Sequence, residues 1–330
     1  MPITPKENYL MLMRGETPEY VPAGYIERTA EFVTEDQLAP VSCPNGPIKT
    51  VYGVTYVGSA DLMNGALPAG QPILSDITKW RDVIRNPDNS HRDWAGYYKK
   101  QTDRFDREHL VVKCHGGDYF LTLVSFMGFA DALLAMYEEP EEVYALFEYV
   151  SEHYLEVMEK QLEYVRPDIY TIMDDDSAAR APFFSLETYR MLVKPFHEKH
   201  AAMALEHGVF LDRHDCGHCE MFIDDWVQMG IRSWNPAQVM NDLKGIKAKY
   251  GRKLAICGGW DNTGFLGSTE VDTETLREKL MEYVDTFAPG GGFVYSPGVS
   301  GKMDDPAVIE RRNVLSDVYY NYARDYYKTH

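Results

Sequence analysis

Cysteine is scarce in this chain. Five thiols are scattered through 330 residues, with Cys43 and Cys114 far from the rest. An odd number at such spacing argues against a disulfide framework and for a reducing compartment, the cytosol. Basic residues are outnumbered, 33 against 51 acidic, and no basic run offsets the net charge of −18. That balance argues against nucleic acid and anionic membrane surfaces as partners. Long apolar runs are missing too. The first residues, Met1-Pro2-Ile3-Thr4-Pro5-Lys6-Glu7, contain no apolar core of a signal peptide. The most apolar stretch, residues 121–137, is interrupted by Asp131 and reads as a buried helix rather than a membrane span. Nucleotide-binding fingerprints are also lacking. The glycine clusters at 288–292 and 298–302 match neither the dinucleotide nor the Walker pattern and read as turns.

What is present is an alternation of strand-like and helical segments. Strand candidates fall at 109–114, 168–173, 209–212, 231–234, 254–257 and 292–296, and the run 21–26 could open the series. Between them lie amphipathic stretches. From 140 to 165, Val143, Leu146, Phe147, Val150, Tyr154, Met158, Leu162 and Val165 keep close to the helical period. Asp305 and Pro306 cap a last helix carrying Ile309, Val314, Leu315, Val318, Tyr322 and Tyr326. Such alternation implies parallel strands with helical crossovers. Polar residues follow several different strand candidates: Cys114-His115, Asp174-Asp175-Asp176, His214 with Cys216, Asn235, residues 257–261 and Tyr295-Ser296. A (β/α)8 TIM-type barrel builds its site in this way, from many strand ends at one mouth. The expected architecture is therefore one α/β domain over residues 1–330. The segment 46–88, punctuated by Gly, Pro and Asn, reads as an inserted loop and hairpin over the barrel mouth, with a strand at 51–57.

His214-Asp215-Cys216-Gly217-His218-Cys219 is the densest chemical cluster, directly after the short apolar run at 208–211. Side chains alternate across a strand, so Phe210, Asp212, His214 and Cys216 fall on one side and Leu211, Arg213 and Asp215 on the other. His214 and Cys216 can then share one ion. Imidazole and thiolate suit zinc, which in catalytic sites takes about three protein ligands and keeps one position open. His218 and Cys219 lie past Gly217, where the chain turns toward a helix at 220–229, and need not converge on the same point. The three adjacent carboxylates at 174–176 repel one another. Such crowding raises at least one pKa and suits a general acid, for which Asp174 and Asp176 are the candidates. Trp234, Trp260, Tyr295, Phe183 and Phe184 lie near strand ends and could line a flat pocket, as could His115.

These residues together resemble a known family. Asp174-Asp175, Ser185-Leu186-Glu187-Thr188-Tyr189-Arg190, Lys194-Pro195-Phe196-His197, His214-Asp215-Cys216-Gly217, Gly230-Ile231 with Asn235-Pro236, and Gly258-Gly259-Trp260-Asp261 are similar to the uroporphyrinogen decarboxylase superfamily. Within it, Arg14-Gly15-Glu16-Thr17-Pro18-Glu19-Tyr20-Val21-Pro22, Tyr52-Gly53-Val54-Thr55-Tyr56 and the segment 74–83 look like the anaerobic O-demethylase methyltransferases. The resemblance implies a barrel enzyme, common as a dimer, that moves methyl from vanillate, veratrol or guaiacol-type ethers to the Co(I) corrinoid (cobalamin) of a partner protein. Two departures matter. The arginine-rich loop with which tetrapyrrole decarboxylases hold several carboxylates is replaced by Ala23-Gly24-Tyr25-Ile26-Glu27-Arg28, which disfavours porphyrinogen decarboxylation. The further zinc cysteine of the coenzyme M methyltransferases is missing, the chain reading Ser296-Pro297-Gly298-Val299 there. Cys257, at the preceding strand end, or a carboxylate is expected to replace it.

On this reading the enzyme aligns methyl, cobalt and oxygen and neutralises charge on the leaving oxygen. Asp174, Asp176 or a zinc at His214 and Cys216 would do the second task. The string Asp212-x-His214-x-x-Gly217 also fits a short cobalamin-binding motif, but the segment that should follow is absent, so the match is taken as chance. The rival readings are a decarboxylase or zinc-dependent thiol methyltransferase of the same superfamily, and a noncatalytic barrel that captures small aromatics.

Overall fold

Short apolar runs, each too short to bury itself, assemble here into one curled sheet. In the computed structural model the described residues are 3–24, 26–33, 48–58, 66–68 and 71–330. Seven strands, β1 (Ala30–Phe32), β5 (Val111–Gly116), β6 (Ile169–Met173), β7 (Phe210–His214), β8 (Ile231–Ala237), β9 (Ala255–Gly258) and β10 (Phe293–Val294), lie side by side in that order, all parallel. Ile48–Lys49 (β2), Thr55–Gly58 (β3) and Ala66–Pro68 (β4) form a small antiparallel sheet. The expected insertion 46–88 contains that sheet, although residues 46–47, 59–65 and 69–70 lie outside the described ones, as does Cys43.

Alternation along the strands separates two cores. Val111, Ile169, Ala255, Cys257 and Val294 point into the curl, where they meet Tyr9, Leu12 and Met13 of the helix Pro5–Met13, which floors it. Their neighbours Val112, Tyr170, Ile256 and Phe293 point outward into the main core under the flanking helices. Each such side chain taken from water contributes about 1.5–3 kcal/mol. The helix Pro140–Lys160 and the helix Pro306–Val318, capped by Asp305, match the periodic stretches in the sequence. The stretch 121–137 differs from the single buried helix expected. It is two helices, Tyr119–Met127 and Phe129–Glu138, bent by 113° at Gly128, whose φ of 84° ends the first. Among the described residues no single helix is long and apolar enough to cross a membrane.

The barrel is also less regular than eight strands. The run 21–26 does meet β10, through a single parallel bridge between Ala23 and Tyr295, with Gly24 N–H donating to Tyr295 O at 2.9 Å. No ladder joins this run to β1 among the described residues. Pro22 has no N–H to donate to a ladder. Gly24 sits where a Cβ would lie 2.6 Å from Ser296 Oγ. The arrangement is an α/β, TIM-like half-barrel, not fully closed.

Candidate active site and metal centre

The carboxyl ends of the strands open into a cavity of about 590 Å3. His115, Thr171, Met173, Asp212, His214, Asn235, Cys257 and Ser296 line it, each an inward position of its strand or of the loop that continues it. One of them, His214, also belongs to a chemical group with Asp175 and Cys216. One ligand atom from each lies within 4.8 Å of the others. Nε2 of His214 is 3.9 Å from both Asp175 Oδ1 and Cys216 Sγ, and Cys216 N–H donates to Asp175 Oδ1 at 2.8 Å. Both His214 and Asp175 remain about a third exposed, at 31% and 34%.

Two strand ends bring the group together. Met173 pairs with His214 in register, so the loops after β6 and β7 leave the sheet side by side. They are stitched by His218 N–H to Ala178 O at 3.0 Å and by Asp176 N–H to Asp215 Oδ1 at 3.0 Å. Gly217 makes this approach possible. Its φ is +89°, and a Cβ there would lie 2.5 Å from Ser177 O.

A nitrogen, a sulfur and a carboxylate oxygen, all on partly exposed residues of which His214 lines the cavity, fit a catalytic zinc with one free position. Without an ion, burial and then the negative charge of Asp175 push the Cys216 thiol well above the usual range. A divalent cation at this point would reverse that, because a coordinating thiol is deprotonated. His214 is held from behind. Its Nδ1 lies 3.0 Å from Asn235 Oδ1, and Asn235 Nδ2 donates to Asp212 Oδ2 at 2.7 Å. Asp212, fully buried, also accepts from Thr171 Oγ1 at 3.2 Å, from Lys113 Nζ at 3.4 Å and from Ser233 Oγ.

The expected acids occupy other positions. Asp174 is wholly buried and faces away from the cavity, where its carboxylate accepts from Phe120 N–H at 2.9 Å and Leu121 N–H at 3.0 Å. It thereby caps the helix Tyr119–Met127, whose own Asp118 supplies no side-chain cap. Asp176 is buried against Arg213 at 2.7 Å, and Arg213 also holds Asp215. Burial and the neighbouring Asp215 carboxylate push the Asp176 carboxyl well above its ordinary range, and burial lifts Asp215 to about 6. Burial leads in both, with crowding by Asp174 a lesser cause at Asp176, and both carboxyls sit within a closed ion cluster.

Cys257 lines the cavity yet does not belong to the ligand group. It packs among the floor residues with Tyr9, and burial and then Asp212 push its thiol up to about 12. Asp175 takes the third position instead. The aromatic expectations are corrected likewise. Trp234 is fully buried on the outer face, with Nε1 donating to Asp215 O at 2.9 Å and its ring 5.8 Å from Trp226. Tyr295 is buried against Tyr319 and donates to Leu315 O, and Trp260 packs on Tyr283. Phe183 packs on Phe129 and Phe120, and Phe184 on Phe120. His115 does line the cavity.

Asp175, Asn235 and Asp212 are the residues that the sequence reading left without a role as ligand or support. One signal could have found all three. Thr171, Met173 and Asp175 share a side of β6 and its continuation, as Asp212 and His214 share one of β7 and Ser233 and Asn235 one of β8.

Known proteins agree with this fold. A solved methyltransferase from Methanosarcina mazei is similar over 97% of this chain and 100% of its own, with a TM-score of 0.67 at 11% identity. A sugar phosphate isomerase/epimerase from Parabacteroides distasonis covers 72% of this chain and 81% of its own at 12% identity, but its TM-score of 0.30 carries no argument. No curated protein sequence matches significantly. The family model for uroporphyrinogen decarboxylase (URO-D) matches residues 119–306, more than half of the 330 residues and the part that carries β6 to β10 with Asp175, His214 and Cys216. The chain therefore belongs to the uroporphyrinogen decarboxylase family.

Proposed function

We propose that this protein is a methyltransferase that moves the methyl group of an aryl methyl ether, of the vanillate, veratrol or guaiacol type, to the Co(I) corrinoid of a separate protein. The observation that carries the reading is the Asp175, His214 and Cys216 group, whose His214 lines the cavity. These three residues would hold zinc, which when bound supplies a Lewis acid for the ether oxygen. In the transfer the C–O bond breaks, methyl passes to cobalt, and the electron pair stays on oxygen, which takes a proton to leave as the phenol. The chain's part is to align the ether and to stabilise charge at that oxygen. Asp174 and Asp176 have no part in this step, since neither faces the cavity.

Cavity size and charge support the small substrate. A volume of about 590 Å3 lies within the ordinary range for small-molecule sites. Its cationic lining groups are already engaged, Arg28 with Glu31 at 2.6 Å and Lys113 with Asp212 at 3.4 Å. Glu27 adds a further carboxylate to the lining. A porphyrinogen with several carboxylates finds no cationic cradle among the described lining residues. The methyltransferase similar over the whole chain supports methyl transfer over decarboxylation.

The test supplies reduced corrinoid protein with each ether and follows methylcobalt and free phenol together. Turnover with at least one ether, reduced by orders of magnitude in His214→Ala and Asp175→Ala, is the expected result. Decarboxylation of a porphyrinogen, or methylation of a thiol with no ether turnover, would overturn the proposal.

A further inference from the structure

Asn235 and Asp212 form a chain behind His214 that ends in the ligand group. Asp212 lies at the inward position one full pleat deeper on β7, and Asn235 pairs with His214 across β7 and β8. An ionised carboxylate can only accept. Because Asp212 Oδ2 is 2.7 Å from Asn235 Nδ2, the donor side of that amide must face Asp212 and its oxygen must face His214. Asn235 Oδ1 is 3.0 Å from His214 Nδ1, so this nitrogen must carry the ring proton. The remaining nitrogen, Nε2, is the one 3.9 Å from Asp175 and Cys216.

We infer that Asn235, oriented by Asp212, is a positioning residue that locks His214 in the Nδ1–H tautomer and presents the bare Nε2 lone pair to Asp175 and Cys216. Its consequence for metal rests on the proposed function, whereas the tautomer itself does not. The lock is well supported, since Asp212 is buried and held by Thr171, Ser233 and Lys113 as well. The amide therefore cannot turn over without setting its oxygen against a carboxylate. Partners of this kind, which fix ring orientation and tautomer, change metal affinity by about 10–100-fold when removed.

Two measurements test the inference. The first is nitrogen-15 NMR of the metal-free chain labelled at histidine, with His214 assigned by its absence in His214→Gln. The expected spectrum has His214 protonated at Nδ1 and bare at Nε2, with that preference lost in Asn235→Ala and in Asp212→Asn. Protonation at Nε2 in the unmodified chain, or an unchanged preference in Asn235→Ala, would overturn the inference. The second is zinc affinity in competition with a chelator, where Asn235→Ala should bind about 10–100-fold more weakly at unchanged melting temperature. Equal affinity would remove Asn235 from a positioning role. An unmodified chain that takes up no zinc would instead contradict the metal reading, and the NMR result would still decide the tautomer.

Discussion

Both faces of the β6 and β7 strand ends carry carboxylates, and the two faces do opposite jobs. On the inward face, Asp175, His214 and Cys216 stand together partly exposed, with no counter-charge at hydrogen-bond distance beyond one another among the described residues. On the outward face, Asp174, Asp176, Asp215 and Arg213 are buried and tied into a helix cap and an ion cluster. One residue along a strand changes a carboxylate from a potential ligand into a clamp. The outward residues hold the two loops in register, and the inward ones are thereby brought within reach of a single ion.

The largest effect should come from breaking the clamp. Arg213→Met would leave Asp176 and Asp215 buried without their cation, at a cost of about 3–5 kcal/mol, read from the denaturant midpoint. His214→Ala, one residue away, should cost at most about 1 kcal/mol. Equal losses would erase the distinction between the faces. Next, Asp174→Ala would strip the helix Tyr119–Met127 of its borrowed cap, a loss of about 1–3 kcal/mol. Asp175→Ala should leave stability nearly unchanged. Smallest is a pH effect. Asp215 is raised from 3.8 to about 6 in the folded chain, so the folded state binds its proton more tightly. Its contribution is present below about pH 4 and lost as pH rises through about 6. Stability followed from pH 4 to 7 should therefore fall less steeply in Asp215→Asn than in the unmodified chain. An identical slope would mean that Arg213 cancels the burial of this carboxyl entirely.

Much of the fold was legible because each parallel strand is a separate apolar run. β5 to β10 all fall within or beside the runs seen in the sequence, within a few residues at each end. β1 was missed, since Ala30-Glu31-Phe32 is only three residues long and carries a charge. The opening run was visible, yet Pro22 limits it to a bridge rather than a ladder strand. The site was legible along β7, where alternation puts Asp212 and His214 inward, and was lost on the neighbouring strands. Asp174, Asp176, Trp234 and Tyr295 are each one residue away from an inward position held by Asp175, Ser233, Asn235, Val294 or Ser296. Chemical type had drawn attention to them, whereas the face of the strand decides what they touch. Phe183 and Trp260 lie in loops beyond the strands, where no such period applies.

Zinc content of purified chains tests the inward group most directly. Elemental analysis of the unmodified protein should give about one equivalent of zinc per chain, the occupancy that one three-ligand site implies. That zinc should be lost in Asp175→Ala, His214→Ala and Cys216→Ser, and kept in Asp174→Ala and Cys257→Ser. Zinc that survives Asp175→Ala but disappears with Cys257→Ser would contradict the account.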